Sequence, residues 1–167
     1  TQNQNSQVFA SVSIRPVNYL HLYGSFFVDE VKFKRFKPSY PEKNPISYLV
    51  GFNWSGWPIK GLSLKGEFMR SYIACYTHSI DVLTWTSNSY NMGHYMGDNA
   101  QSIYAELAYR PVRGLLLKMS YTNDTKYNSY AYQRDNIGET ISQKPFDHCI
   151  YRNDEFRFDG IFEAHPN

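Results

Sequence analysis

The chain is predicted to be all-β: an antiparallel up-and-down transmembrane β-barrel, or part of one, with short periplasmic turns and long extracellular loops. Three observations carry this. A hairpin with apolar/polar alternation occurs three times, the connections alternate between a few residues and roughly 15 to 30, and aromatic residues gather at the strand ends.

Gln101–Asp124 shows the unit most clearly. Ile103, Ala105, Leu107 and Tyr109 alternate with Tyr104, Glu106, Ala108 and Arg110 before the turn; Leu115, Leu117, Met119 and Tyr121 alternate with Leu116, Lys118, Ser120 and Thr122 after it. Period two sends one set to an apolar face and the other to a largely polar one, the pattern of a strand pair around a tight turn. Superposing Pro16, Pro58 and Pro111 aligns Leu20, Leu62 and Leu115, then Leu22, Leu64 and Leu117, then Phe26, Phe68 and Tyr121. Before the prolines Val12, Trp54 and Leu107 coincide, so the chain reads as one hairpin repeated.

In chain order, Thr1–Gln7 is a polar lead-in. Its lack of a signal peptide reads as a mature or truncated start. Hairpins are expected over 8–29, 46–71 and 101–124 of a single domain. Between the first two, Glu30–Pro45 holds Pro38, Pro41 and Pro45 and reads as an exposed loop, its basic patch Lys32–Lys37 being solvated. Tyr72–Ala100 is a long loop in which Ile80–Thr86 forms an extra strand or a strand extension. A weak fourth hairpin is expected over 146–163, with Cys149–Tyr151 and Phe156–Phe162 joined around Arg152–Glu155. Six strong strands do not close a transmembrane barrel, so either this last hairpin completes it or the chain is one part of a larger barrel. The ending EAHPN, without a terminal aromatic, favours the second.

The expected strand lengths of roughly 9–11 residues suit a tilted membrane strand. Trp54, Trp57, Tyr48 and Tyr109 sit at one set of strand ends and Tyr72 and Tyr121 at the other, in girdle positions. A secreted β-sandwich would show the same alternation with its apolar face turned inward. Charges of both signs on the polar face are costly in a dry interior and comfortable on a wet one. Thus His21, Asn53, Lys65, Glu67, Glu106 and Lys118 are the candidates for lining a lumen.

Composition excludes several classes. A net charge of +2 argues against a nucleic-acid partner. The sequence has no run of 18 apolar residues and therefore no membrane helix, while a mean hydropathy of −0.54 fits a barrel whose strands are only half apolar. Cys75 and Cys149 allow one disulfide or two free thiols. Cys75, His78, His94 and His148 have no ligand spacing for a metal, no serine sits in a nucleophile motif, and no cofactor motif is present, so an enzyme is not expected.

The most individual stretch is Gly93–Ala100. Its glycines give turns, and His94, Asp98 and Asn99 offer polar tips that either bond locally to backbone or meet hydroxyl-rich ligands. With Trp85, Tyr90 and Tyr95 as apolar platforms, these are the candidate glycan contacts. ELAYRPVRGLLLKMSYTND, entered through GHYMGDNAQS, resembles the hairpins of outer-membrane barrels from the Bacteroidetes group, particularly the Wzi-type capsule-assembly barrels, best over 92–124. The resemblance implies a monomeric barrel of more strands that helps hold capsular polysaccharide at the surface of a Gram-negative cell. The expected partners are outer-membrane lipid, surface polysaccharide and other envelope proteins; a porin-like channel for small solutes and a secreted carbohydrate-binding sandwich are the alternatives.

Overall fold

The computed structural model of the chain describes residues 7–29, 31, 33–37, 39, 44–76, 85–88, 90–128 and 145–163. Its strands are β1 (Val8–Val17), β2 (Leu20–Val28), β3 (Ile46–Ser55), β4 (Leu62–Ser71), β5 (Thr86–Ser87), β6 (Tyr90–Asn91), β7 (Ala100–Tyr109), β8 (Leu115–Tyr127) and β9 (Cys149–Phe162). The seven long strands form one antiparallel meander in the order β1-β2-β3-β4-β7-β8-β9, and β5 pairs with β6 in a separate ribbon. The sheet is open, with β1 and β9 at its edges, so the described residues do not close a barrel.

The three hairpins lie where the alternation places them, and Leu20, Leu62 and Leu115 each begin the returning strand. One backbone bond repeats with them. Ser55 N donates to Tyr19 O at 2.8 Å, Arg110 N to Gly61 O at 2.9 Å and Glu163 N to Gly114 O at 2.8 Å, so each hairpin turn is tied to the end of the long strand that follows its hairpin. Gly61 and Gly114 have φ of 79° and 84°, and a Cβ on either would run into the carbonyl oxygen of Arg110 or Glu163. Glycine alone meets both demands.

The expected fourth hairpin is instead a single strand, β9. Arg152–Glu155 makes no turn because β8, at 13 residues, templates a full partner: Asn153, Glu155, Arg157 and Asp159 lie opposite Asp124, Thr122, Ser120 and Lys118. Asp154 further accepts Asn123 Nδ2 at 2.6 Å and Tyr121 Oη at 2.8 Å. Of the expected strand at Ile80–Thr86, residues 80–84 lie outside the described residues, and Thr86 opens β5. Phe33–Phe36 in the basic loop form a 3-10 turn, and Lys37 is exposed. The cysteines are both free, Cys75 buried and Cys149 exposed, so the disulfide alternative is not the one adopted.

Burial runs opposite to that of a sheet covering a soluble core. On the apolar face Val12 is 60% and Met119 55% exposed, with Ile14, Val50, Leu64, Leu107 and Phe158 also exposed. On the opposite face Lys65, Glu67, Tyr104 and Glu106 are half-buried and Met69 is 2% exposed. Among the described residues no other strand packs across either face of the sheet, so a second sheet does not account for this difference. A buried apolar cluster sits at the long-loop end, where Phe27, Cys75 and Tyr76 pack with Trp85. Tyr76 stacks on Phe27 with ring centroids 5.2 Å apart and donates to Ser47 Oγ at 2.5 Å. The segment after β4 thus folds back over the polar face, on a row of small residues, Ser47, Ser71 and Ala100.

Candidate functional site

Strand register builds the polar face row by row. His21, Asn53, Lys65, Glu106, Ser120 and Arg157 are successive cross-strand partners from β2 to β9. The next row towards the long loops runs Ser13, Tyr23, Gly51, Glu67, Tyr104, Thr122 and Glu155. The row towards the short turns holds Ala108, Lys118 and Asp159. All six residues predicted from the sequence to line a lumen therefore share one face.

They interlock through two similar units. Glu67 accepts the Tyr23 hydroxyl and pairs with Lys65 at 3.2 Å. Glu106 accepts the Tyr104 hydroxyl and pairs with Lys118 at 3.1 Å. Lys65 Nζ also lies 5.3 Å from the centre of the Tyr104 ring, joining the units. On β9, Arg157 pairs with Asp159 at 3.0 Å. His21 Nε2 and Ser13 Oγ are 2.7 Å apart, and Asn53 is exposed. The Lys65–Glu67 and Lys118–Glu106 pairs, both half-exposed, contribute about 0.2–1 kcal/mol each. Their larger effect is local neutrality: carboxylate and ammonium alternate, with phenol hydroxyls taking further lone pairs. Such a face holds water and neutral polar solutes without a strong field of either sign.

Sequence reasoning missed the two tyrosine donors and the Arg157–Asp159 pair. Glu155, Arg157 and Asp159 do alternate with Phe156 and Phe158, a signal that one strand runs through the segment. Tyr23 gave no such signal, because its acceptor lies two strands away.

At the long-loop end the six glycan candidates separate. Tyr90 and Tyr95 are 78% and 69% exposed. Trp85 is half-buried, its ring 5.2 Å from Phe27. His94 is half-buried beside Tyr95, ring centroids 4.3 Å apart, and its Nδ1 accepts Met96 N at 3.3 Å. Burial holds the His94 imidazole below its ordinary value, with Asp124 and Glu67 acting in the other direction. The Tyr95 hydroxyl donates to Asp124 Oδ2 at 2.6 Å; burial first, and then that bond, push its pKa up to about 12.

Asp98 and Asn99 are buried and act as pins. Asp98 pairs with Lys126 at 2.8 Å and accepts Ala74 N at 3.2 Å. Asn99, at φ 43°, donates its Nδ2 to Asn128 O at 2.7 Å and accepts Phe146 N at 3.0 Å on Oδ1. Its own amide donates to Tyr72 O at 3.1 Å, and its carbonyl accepts Tyr127 N at 2.9 Å. One residue thus ties together the segments after β4, before β7, after β8 and before β9. Both side chains thus bond to neighbouring segments of the chain, the local-bonding alternative open to them in sequence.

His148 is exposed, and His78 lies outside the described residues. Among the described residues no three His, Cys, Asp or Glu side chains are grouped to hold a metal ion. Comparison of the chain with protein-family models, curated proteins and solved structures finds no match.

Proposed function

We propose that the sheet is part of the wall of a bacterial outer-membrane β-barrel and that its long-loop end contacts surface polysaccharide. The observation that carries the wall reading is the inverted burial: valine, leucine, methionine and phenylalanine side chains lie open on one face while charged and phenolic ones are half-covered on the other. Lipid tails suit the first face and a wet lumen the second. The apolar band runs from the row of Leu62, Tyr109 and Leu117 to that of Val50, Phe68 and Ile103, beyond which Arg70, Gln101, Thr125 and Tyr48, which lies at the long-loop end of β3 and not at the end of Trp54 as expected, turn it polar. Tyr19, Trp54 and Trp57 cluster at the short-turn end, with ring centroids 5.1 to 5.9 Å apart, as an interfacial girdle.

Seven strands in a meander leave β1 and β9 running in the same direction. Closure with every pair antiparallel then takes an odd number of further strands. Contact with polysaccharide is supported by the open rings of Tyr90 and Tyr95, the second anchored through its hydroxyl to Asp124.

The test is envelope fractionation of the full parent reading frame. Detergent-dependent extraction from the outer membrane and faster migration when unheated are expected; release into buffer without detergent would overturn the wall and favour the secreted sandwich. Tyr90→Ala with Tyr95→Ala then loses glycan retention at the cell surface, and unchanged retention would remove the glycan role. The polar row from His21 to Arg157 favours a second reading, a solute channel. Ion conductance in planar bilayers supports it; a silent, heat-modifiable protein does not.

A further inference from the structure

The short-turn end carries a feature that a wall alone does not need. Its turns repeat a proline, an apolar residue and a polar or basic one: Pro16-Val17-Asn18, Pro58-Ile59-Lys60 and Pro111-Val112-Arg113. Ile59 and Val112 are exposed, as is Trp57. Arg15, Lys60, Arg110 and Arg113 are exposed beside them, and among the described residues of this rim Glu163 is the one acid. None of the four basic side chains joins an ion pair among the described residues. At the β7–β8 turn a groove of about 560 Å³ is lined by Arg110, Arg113, Leu115, Leu116, Ile161 and Glu163. It brings two guanidinium-bearing residues together with apolar walls.

We propose that this rim binds the headgroups of anionic phospholipids, with Arg110 and Arg113 holding a phosphate at the groove and Arg15 and Lys60 extending the contact along the rim. The inference rests on the membrane-wall reading. Charge complementarity and position carry it. Guanidinium groups match phosphate oxygens in a planar fork. The exposed apolar turn tips and the Tyr19–Trp54–Trp57 cluster lie at the same end as the basic residues, where a headgroup layer would meet them. Glu163 opposes an anion in the groove. Its backbone N–H is spent on Gly114 O, which holds the strand end in place whatever its side chain does.

The experiment inserts the protein of the full parent reading frame into phosphatidylcholine vesicles and into vesicles that also contain phosphatidylglycerol, reading the heat-modifiable fraction against lipid concentration. Anionic lipid is expected to tighten the association about tenfold, a contribution expected of basic residues at a charged surface, and raised salt should remove the gain. Arg110→Gln with Arg113→Gln loses most of that gain while inserting normally into phosphatidylcholine; Arg110→Lys with Arg113→Lys retains most of it. Equal association with both vesicles overturns the headgroup contact and leaves the wall standing. Loss of the preference on adding inorganic phosphate, at constant ionic strength, overturns the lipid as ligand and assigns the groove to free phosphate. Should the glutamine variant fail to insert, the salt dependence of the unaltered chain decides: a gain that survives raised salt overturns the proposal. Insertion into neither vesicle overturns both readings.

Discussion

The hydroxyl of Tyr23 on β2 reaches Glu67 on β4 by lying across β3 at Gly51. A Cβ on Gly51 would sit 2.5 Å from Tyr23 Cζ, so the missing side chain makes the passage. The apolar face repeats the device: Phe52 covers Gly66, where a Cβ would come within 2.5 Å of its ring. An aromatic ring laid over a strand glycine covers backbone that would otherwise be open, and it pins the register of both strands.

Gly51→Val should expel the Tyr23 ring and break its bond to Glu67, costing about 2–3 kcal/mol from overpacking and the lost charged hydrogen bond. Tyr23→Ala with Gly51→Val should cost no more than Tyr23→Ala alone. Denaturant unfolding of the four proteins measures the coupling. Additive losses would mean that the ring does not depend on the glycine.

Asn99→Ala removes the donor to Asn128 O and the acceptor for Phe146 N, and it puts a less tolerant residue at positive φ. Destabilisation of about 2–4 kcal/mol is expected. Asn99→Gly should recover part of it, because glycine restores the backbone preference without the side-chain bonds. Protease nicking of the long loops should rise in the same order, with the alanine variant cut fastest. Equal losses in the two variants would show that backbone conformation contributes little.

Cys75 is buried, and burial followed by the nearby Asp29 and Asp98 charges raises its thiol pKa far above the usual range. The thiolate is the reactive form, so Cys75 should resist maleimide in the folded protein while exposed Cys149 reacts. Mass spectrometry should find one label before unfolding and two after. Labelling of Cys75 in the folded state would mean that the Phe27–Tyr76–Trp85 cluster opens readily.

The depressed pKa of His94 sets a pH dependence. The unfolded chain takes up a proton near the ordinary value of 6.5, and the folded chain only lower. The stability this brings is therefore present above the ordinary value and is lost as the pH falls from there through the depressed one. Unfolding midpoints measured from neutral to mildly acidic pH should fall, and His94→Asn should flatten that part of the curve. An unchanged slope in the variant would assign the acid sensitivity to other groups.

Much of the sheet was legible in local pattern. Alternation named both faces, the recurring leucines marked three strand starts, and tight turns left little freedom of register between paired strands. That is why His21, Asn53, Lys65, Glu67, Glu106 and Lys118 could be assigned to one face before their neighbours were known. Glycine at the turn ends was likewise a local requirement, visible as Gly61 and Gly114 one residue before Leu62 and Leu115.

The remainder was decided by groups distant in sequence. Cys149–Phe162 is one strand because β8 offers a continuous ladder and matching side chains, and no local cue outweighs a templating neighbour. Asp98 and Asn99 look like exposed loop tips in sequence, but segments arriving from residues 72–74, 126–128 and 146 surround them and consume their hydrogen-bonding groups. Tyr23 finds Glu67 only once β3 has placed a glycine between them. The sequence by itself thus determined strands, faces and tight turns, which depend on period and backbone preference. Which polar groups end up buried, paired or open was decided by the tertiary structure, because each depends on partners that only the folded sheet brings within bonding distance.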